Sequence, residues 1–349
     1  RVGHRQAFTT NASMPCIGAF FLLTNAWKIS ATSGSKSNAM TTPEPALTNA
    51  LLKVREAGYV LSEDWPRHGV TAQELGLHED AGTVRLPADV QLHDLRYIQN
   101  SLPQQLSVQL LDYTDSTNSE MMRRRTKFGG ADQLILTEYQ SAGRGRRGKV
   151  WLGDYGRNIA MTLGIEFPLN LNALGGLSSV VGLALLQALE LEGVDAQLKW
   201  PNDVWVKEQK LAGILVELVP TKIGTLAIVG IGINVDLTNV QASKIDQSVT
   251  TLRRLGALIS RDDLVVAVHA SLLKNFEVYF SEGFAPFLDA FNSAHCLQDR
   301  AAILVLGTES QQGIVRGIDI SGGLRFEQNG ATRIVTSGEV SLRPLTTEE

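Results

Sequence analysis

Between residues 106 and about 291 the chain switches repeatedly between strand-like and helix-like patterning, and that alternation restricts it to layered α/β architectures. Apolar, β-branched stretches at 108–113, 134–139, 158–165, 196–200, 210–218 and 225–235 read as strands. Helical spacing appears at 119–127, 174–191 and 262–279. In the second of these, Leu177, Val180, Val181, Ala184, Leu185 and Ala188 share one face, which should lie on the sheet. Before this block, short helical pieces (46–57, 71–77) alternate with turn signals. After it, residues 301–344 hold only short strands broken at Gly307, Gly313, Gly322-Gly323, Asn329-Gly330 and Ser337-Gly338, as in a small β-barrel.

The strand at 134–139 runs into Gly143-Arg144-Gly145-Arg146-Arg147-Gly148, where three glycines free the backbone and three arginines concentrate positive charge. The spacing is that of a dinucleotide fingerprint, G-x-G-x-x-G. A dinucleotide loop, however, passes from a strand straight into a helix whose N-terminus meets the pyrophosphate. Here Lys149-Val150-Trp151-Leu152-Gly153-Asp154-Tyr155-Gly156 follows, too rich in glycine and aromatics to open a helix. Any anion would therefore be held by the arginine side chains. Three like charges on flexible glycines should also move until an anion neutralises them, and then close.

With 349 residues, 44% of them hydrophobic, the chain can bury a sizeable core in two or three domains. Its net charge of -4 gives no global attraction to nucleic acid or anionic membranes, so phosphate affinity must be local. Cys16 and Cys296 lie far apart and outside any C-x-x-C spacing, which fits a reducing, cytoplasmic setting and argues against structural zinc. His4, His68, His78, His93, His269 and His295 are scattered and read as surface or packing residues. The apolar run at 15–27 is too short to cross a bilayer, though it has the length of a signal-peptide core. Ser37-Asn38-Ala39 before Met40 reads as the remnant of an expression tag, with residues 1–40 foreign to the fold. Export is the alternative.

Five segments in order resemble biotin protein ligase. They are Asp115-Ser116-Thr117-Asn118, Glu138-Tyr139-Gln140-Ser141-Ala142 leading into the arginine loop, Lys199-Trp200-Pro201-Asn202-Asp203, Lys210-Leu211-Ala212-Gly213-Ile214-Leu215-Val216-Glu217 and Gly230-Ile231-Gly232-Ile233-Asn234. Arg316-Gly317-Ile318-Asp319 and Gly338-Glu339-Val340-Ser341-Leu342 continue the series in the tail. The resemblance covers roughly 86–344. It implies a mixed central sheet with helices, the class II synthetase-like catalytic fold of biotin and lipoate ligases, with a small C-terminal SH3-like β-barrel and a short N-terminal helical segment. The corresponding divisions are 41–103, 104–295 and 296–349.

The implied reaction joins biotin and ATP, with Mg2+, into biotinyl-adenylate and pyrophosphate. A lysine of the biotin carboxyl carrier protein of acetyl-CoA carboxylase then takes the biotinyl group. A carboxylate must approach a triphosphate in the first step, so cations are needed at the reacting centre. Arg144, Arg146, Arg147, Lys199 and Lys210 supply them, arginine as a planar fork and lysine as a point charge. By resemblance Arg144 and Arg146 sit near biotin's carboxylate and the α-phosphate, and Lys210 contacts the carboxylate. The uncharged urea of biotin needs a few placed donors and acceptors, which Ser116, Thr117 and Gln140 provide. Ser116 or Thr117 would also cap the helix near Ser119. Asn118 and Gly145 complete the biotin set. Gly213 and Gly232 lie in apolar strands, where glycine weakens the sheet unless a ligand or another backbone approaches closely, and the resemblance places biotin there.

Asp203 suits either a magnesium ligand or the acceptor that helps deprotonate the incoming lysine. Asn202, Asn234 and, in the tail, Arg316 are nucleotide candidates, whereas Trp200 reads as a packing residue. Lipoate or octanoate ligation is the lesser alternative, because those enzymes share a related fold.

Many relatives carry an N-terminal winged helix and repress biotin synthesis. This chain departs from that pattern: between Thr41 and Gln91, Lys53, Arg55, Arg67 and Arg85 face Glu44, Glu56, Glu63, Asp64, Glu74, Glu79, Asp80 and Asp89, a local charge of -4. Phosphate neutralisation needs the opposite sign. The segment therefore reads as a degenerate winged-helix remnant that does not bind DNA, with a bifunctional ligase and repressor as the alternative. The resemblance also leaves room for a homodimer through an edge of the central sheet.

Overall fold

The computed structural model describes residues 45–67, 69–128, 133–336 and 340–345. The leader with its apolar run and Ser37-Asn38-Ala39-Met40, as well as Cys16, His4, His68, the Ser337-Gly338 turn and Gly338-Glu339 of the tail motif, lie outside the described residues. The described residues cluster as one packed unit.

Helix α1 (Pro45–Ala57) buries Leu47, Ala50, Leu51 and Val54, one stripe at helical spacing. They meet Val60, Leu75, Leu77 and Val84 of a three-stranded antiparallel sheet and its loops, the sheet being ordered β1 (Tyr59–Leu61), β3 (Thr83–Arg85), β2 (His78–Asp80). The helix expected at 71–77 is a single turn. Thr71 and Glu74 form a reciprocal cap, Glu74 accepting from the Thr71 N–H at 2.9 Å and Thr71 Oγ1 from the Glu74 N–H at 3.3 Å. Gly76, at φ +74°, turns the chain away before a second turn can form.

After α2 (Leu95–Ser101) come β4 (Ser107–Leu111), α3 (Thr117–Phe128), β5 (Gln133–Thr137), and a two-stranded ribbon of β6 (Gly143–Arg144) and β7 (Val150–Trp151). β8 (Ile159–Phe167), α4 (Leu177–Glu190), β9 (Gln197–Lys199), β10 (Asp203–Val206), β11 (Gln209–Pro220) and β12 (Thr225–Ile233) follow, then α5 (Asn239–Ala242), α6 (Arg261–Glu282) and α7 (Leu288–Ala294). The central sheet has seven strands in the order β4-β5-β8-β12-β11-β10-β9. Only β4 and β5 are parallel, joined by the crossover through α3. Every residue of β5 is buried because both faces are covered: Leu134 and Leu136 pack with α4 and α6, and Ile135 packs against Met121 of α3. The segment 171–190, apolar and long enough to cross a membrane by length and composition, contains α4, a core helix of this sheet.

The tail forms a five-stranded antiparallel sheet, ordered β16 (Ala331–Val335), β15 (Leu324–Gln328), β14 (Glu309–Ile318), β13 (Ala301–Leu306), β17 (Val340–Pro344). Gly313, expected at a turn, lies inside β14, where a Cβ would stand 2.4 Å from the Glu327 carbonyl oxygen and 2.6 Å from the Phe326 ring. Its missing side chain lets Phe326 fold across the strand.

A buried ionic cluster ties α1 to the central sheet. The Glu138 side chain is fully buried and receives Arg55 and Arg261, both at 2.7 Å, together with the His93 backbone N–H at 2.8 Å. Arg55 also reaches Asp112 at 2.5 Å, and Tyr155, whose ring completes the small core beneath α1, donates its hydroxyl to Asp112 at 3.0 Å. Burial alone would raise the Glu138 pKa. Arg261, His93 and Arg55 outweigh it and bring the value down to about 2.

Candidate active site

The strand register places Lys199, Asp203, Gly213 and Gly232 opposite one another across β9, β10, β11 and β12. This row crosses the floor of a cleft on the α3 side of the sheet. The cleft is lined by Ser116, Thr117, Asn118, Gln140, Arg144, Gly145, Arg146, Arg147, Lys199, Asn202, Asp203, Lys210, Gly213 and Gly232, so the sequence candidates largely converge. Among the described lining residues the cations Arg144, Arg146, Arg147, Lys149, Lys199 and Lys210 face a single carboxylate, Asp203.

Asp203 accepts an ion pair from Lys210 at 2.8 Å. The Lys199 ammonium lies 4.1 Å from the centroid of the Trp205 ring. Burial lowers its pKa, opposed by the Asp203 charge. Arg146 is likewise lowered by burial, with Asp203 again acting in the opposite sense.

No helix follows the glycines. Arg146–Gly148 make one 3-10 turn at the tip of the β6–β7 ribbon, with Arg147 at φ 59° and Gly148 at φ 70°. Gly143 pairs with Trp151, and a Cβ on Gly143 would stand 2.3 Å from the Trp151 carbonyl oxygen. One of the ribbon's charges is met from within the protein: Arg144 donates to Glu217 from both terminal nitrogens, at 3.1 and 2.8 Å. An incoming anion is thus not the only group that can meet this charge.

Trp151 explains the two strand glycines. A Cβ on Gly232 would lie 2.4 Å from its indole, and one on Gly213 would lie 3.0 Å from it. In place of the ligand or second backbone expected there, the close approach comes from this side chain. The next row, Leu215-Gly230-Thr162, is covered by Asn118 in the same way.

At the other end of the cleft, α3 begins at Thr117 rather than Ser119, and its cap comes from elsewhere than expected. Gln140 Oε1 accepts from the Thr117 N–H at 2.8 Å, while Ser141 and Ala142 donate their N–H groups to the carbonyls of Thr114 and Asp115. Neither Ser116 nor Thr117 supplies the capping oxygen. Asn118, given little weight on sequence, is 3% exposed and fully engaged: it donates to Leu215 O and Glu217 and accepts from Thr162.

Two candidates stand apart. Asn234 is buried and donates to the Lys210 carbonyl at 3.3 Å, outside the cleft lining, so it steadies the start of β11. Arg316 lies on β14 in ion pairs with Asp299 and Glu327, also outside the lining. The tail reaches the cleft through Ser341 and Leu342 of β17 instead. Asn202 lines the cleft while donating to Ile214 O at 2.7 Å. Trp200 is 2% exposed, with its indole N–H on Gly322 O at 3.1 Å, and it packs as expected. His295, read as a packing residue, also accepts the Trp200 backbone N–H at Nε2, 3.0 Å away. Burial pushes its pKa down to about 4, which keeps that nitrogen an acceptor.

Sequence reasoning passed over Trp151, Lys149, Gln247, Ser341, Leu342 and Glu217. Glu217, Ser341 and Leu342 sit inside motifs already quoted, and Lys149 and Trp151 in the stretch just after the arginine loop. Gln247 carries no sequence signal.

Residues 110–234 match the Biotin/lipoate A/B protein ligase family. The chain is 36% identical over 261 residues to the Bifunctional ligase/repressor BirA of Escherichia coli, covering 74% of this chain and 80% of that protein. It is 31% identical over 238 residues to the Biotin--[acetyl-CoA-carboxylase] ligase of Mycobacterium tuberculosis, covering 65% and 85%. The fold is similar to that of a biotin protein ligase from Aquifex aeolicus in complex with biotin and ATP, with TM-score 0.58 and 27% identity over 68% of this chain and 99% of that one.

Proposed function

This chain belongs to the biotin protein ligase family, and on that premise we propose how its cleft carries out ATP-dependent biotin ligation. The observation that carries the reading is the cleft's charge: six cations against one carboxylate, above a floor of strand glycines. Such a site brings two anions together. A biotin carboxylate oxygen attacks the α-phosphorus of ATP and pyrophosphate leaves. An acceptor lysine amine then attacks the acyl carbon, AMP leaves, and the amine loses a proton.

Arg144, Arg146 and Lys210 hold the carboxylate and α-phosphate, and Arg147, Lys199 and Asn202 the remaining nucleotide. Ser116, Thr117 and Gln140 bind the urea, with Gly213 and Gly232 leaving room beneath the ring system and Trp151. Asp203, paired with Lys210, takes the amine proton. The donor set fits Mg2+ only in part: no group of three His, Cys, Asp or Glu side chains that could hold an ion occurs among the described residues. Asp203 would be the protein's one ligand to an ion otherwise held by ATP phosphates, where it would neutralise phosphate charge.

The acceptor is a carboxyl carrier protein in the cytoplasm, and the divisions of the chain are 41–103, 104–295 and 296–349, the last an SH3-like barrel. A homodimer paired along a sheet edge completes the picture, tested by sedimentation with and without biotin and ATP. Pyrophosphate release with biotin, lipoate and octanoate, with and without a carrier domain, tests the main reading. Release with lipoate but not biotin would sink it.

A second reading, ligase with repressor, is favoured by the relative named for both activities. The acidic balance of residues 41–91 speaks against it, and we take 41–103 as a reduced winged-helix remnant. A salt-dependent shift of operator DNA in the presence of biotin and ATP would reverse that.

A further inference from the structure

Glu217 is not among the groups lining the cleft, yet it governs what Arg144 does there. Its carboxylate accepts from both terminal nitrogens of Arg144 and, at 2.9 Å, from the Asn118 amide. Asn118 accepts in turn from the Thr162 hydroxyl at 2.7 Å and donates to Leu215 O at 3.2 Å. Exposure rises along this chain of contacts, from a buried Thr162 and Asn118, through Glu217 with 22% of its side chain exposed, to Arg144 with 43%. The path exists because Gly230, opposite both Thr162 and Leu215, has no side chain: a Cβ there would stand 2.1 Å from Asn118 Oδ1.

We propose that Glu217, oriented by Asn118, is a positioning residue that holds Arg144 at the cleft and so sets how firmly the arginine ribbon retains an anionic ligand. The proposal rests on the reading of Arg144 as an anion contact. A guanidinium presents five N–H donors in a rigid fork. Glu217 takes the end-on pair and leaves the Nε–H edge for a ligand oxygen. A carboxylate already fixed by an amide also spares Arg144 the ordering that a lone arginine on a glycine loop would undergo on binding.

Two effects oppose each other when Glu217 is neutralised. Arg144 loses its anchor, which weakens retention, and the cleft gains net positive charge, which strengthens it. Both side chains are partly exposed, so the charge effect is screened at physiological salt and the lost anchor dominates.

The test uses the full chain loaded with labelled adenylate from biotin and ATP, with release followed by rapid filtration. At physiological ionic strength Glu217→Gln, which is isosteric, should release adenylate about fivefold faster, as for the loss of a good partly exposed ion pair. Glu217→Asp, with the charge kept and the reach shortened, should fall between that variant and wild type. The double variant Glu217→Gln/Arg144→Ala should release no faster than Arg144→Ala alone, a non-additivity that a merely structural role would not produce. Wild-type or slower release from Glu217→Gln, or effects that multiply in the double variant, would overturn the proposal while leaving Arg144 a ligand contact. Wild-type release from Arg144→Ala would remove both.

Discussion

Replacing Glu138 by Gln should loosen the joint between α1 and the central sheet while changing almost no volume. Glu138 holds two guanidiniums at 2.7 Å in a place with no solvent exposure of its own side chain. Arg55 keeps Asp112, but the 7% exposed Arg261 loses its carboxylate and is left with the carbonyls of Asn158 and Gln91. The folded-state pKa of about 2, set against the ordinary glutamate value of 4.5, corresponds to about 3 kcal/mol favouring the ionised form in the folded state. Breaking a buried pair from one side falls in the same range, roughly 3–5 kcal/mol.

Because the folded pKa is depressed, this contribution is present in full above about pH 4.5 and fades as pH falls toward about 2. Urea unfolding of wild type and Glu138→Gln at neutral pH should therefore differ by about 3 kcal/mol, and the gap should narrow on acidification because the wild type loses the same term. Unfolding midpoints that coincide at neutral pH, or a gap unchanged down to about pH 3, would refute the reasoning.

Arg144→Ala should weaken retention of the adenylate without unfolding the protein, as read by its release rate and a thermal melt. Lys210→Ala should slow adenylation by about a hundredfold in single-turnover pyrophosphate release, since it removes a cation from the reacting centre and leaves Asp203 without its 2.8 Å partner. Gly232→Ala would place a methyl group 2.4 Å from the Trp151 indole. It should raise the KM for biotin about tenfold, with an unfolding free energy within about 1 kcal/mol of wild type, because the indole lies on the half-exposed ribbon rather than in the core. Ala81, at φ 47° before Gly82 at φ 80°, occupies a two-residue hairpin turn that favours Asn-Gly. Ala81→Asn should stabilise the N-terminal module by about 0.5 kcal/mol in urea titrations.

The strands and long helices of the central sheet were legible because each carries a long apolar period, and the row Lys199-Asp203-Gly213-Gly232 lay within motifs that the sequence displays. What the sequence concealed depends on registers it does not write down. The sequence does not show that Gly230 sits directly beneath Asn118, nor that Arg144 reaches across to Glu217 at the end of its motif. Thr71 and Glu74 gave a genuine helix-start signal, but Gly76 ended the turn locally, a conflict that periodicity over seven residues cannot resolve. Arg316 and Ser341-Leu342 both lie in tail motifs, and only the order β14-β13-β17 decides which of them reaches the cleft.

That order has a consequence for the timing of synthesis. All seven strands of the central sheet have emerged from the ribosome once β12 has, α6 follows to cover one face, and β17, which brings Ser341 and Leu342 to the cleft, comes about a hundred residues after β12, on the order of ten seconds later at ordinary elongation rates. During that interval a nascent chain has the arginine ribbon and the glycine floor but an unfinished wall. Its cleft is whole only after α6 has covered the sheet and the tail sheet has closed against it.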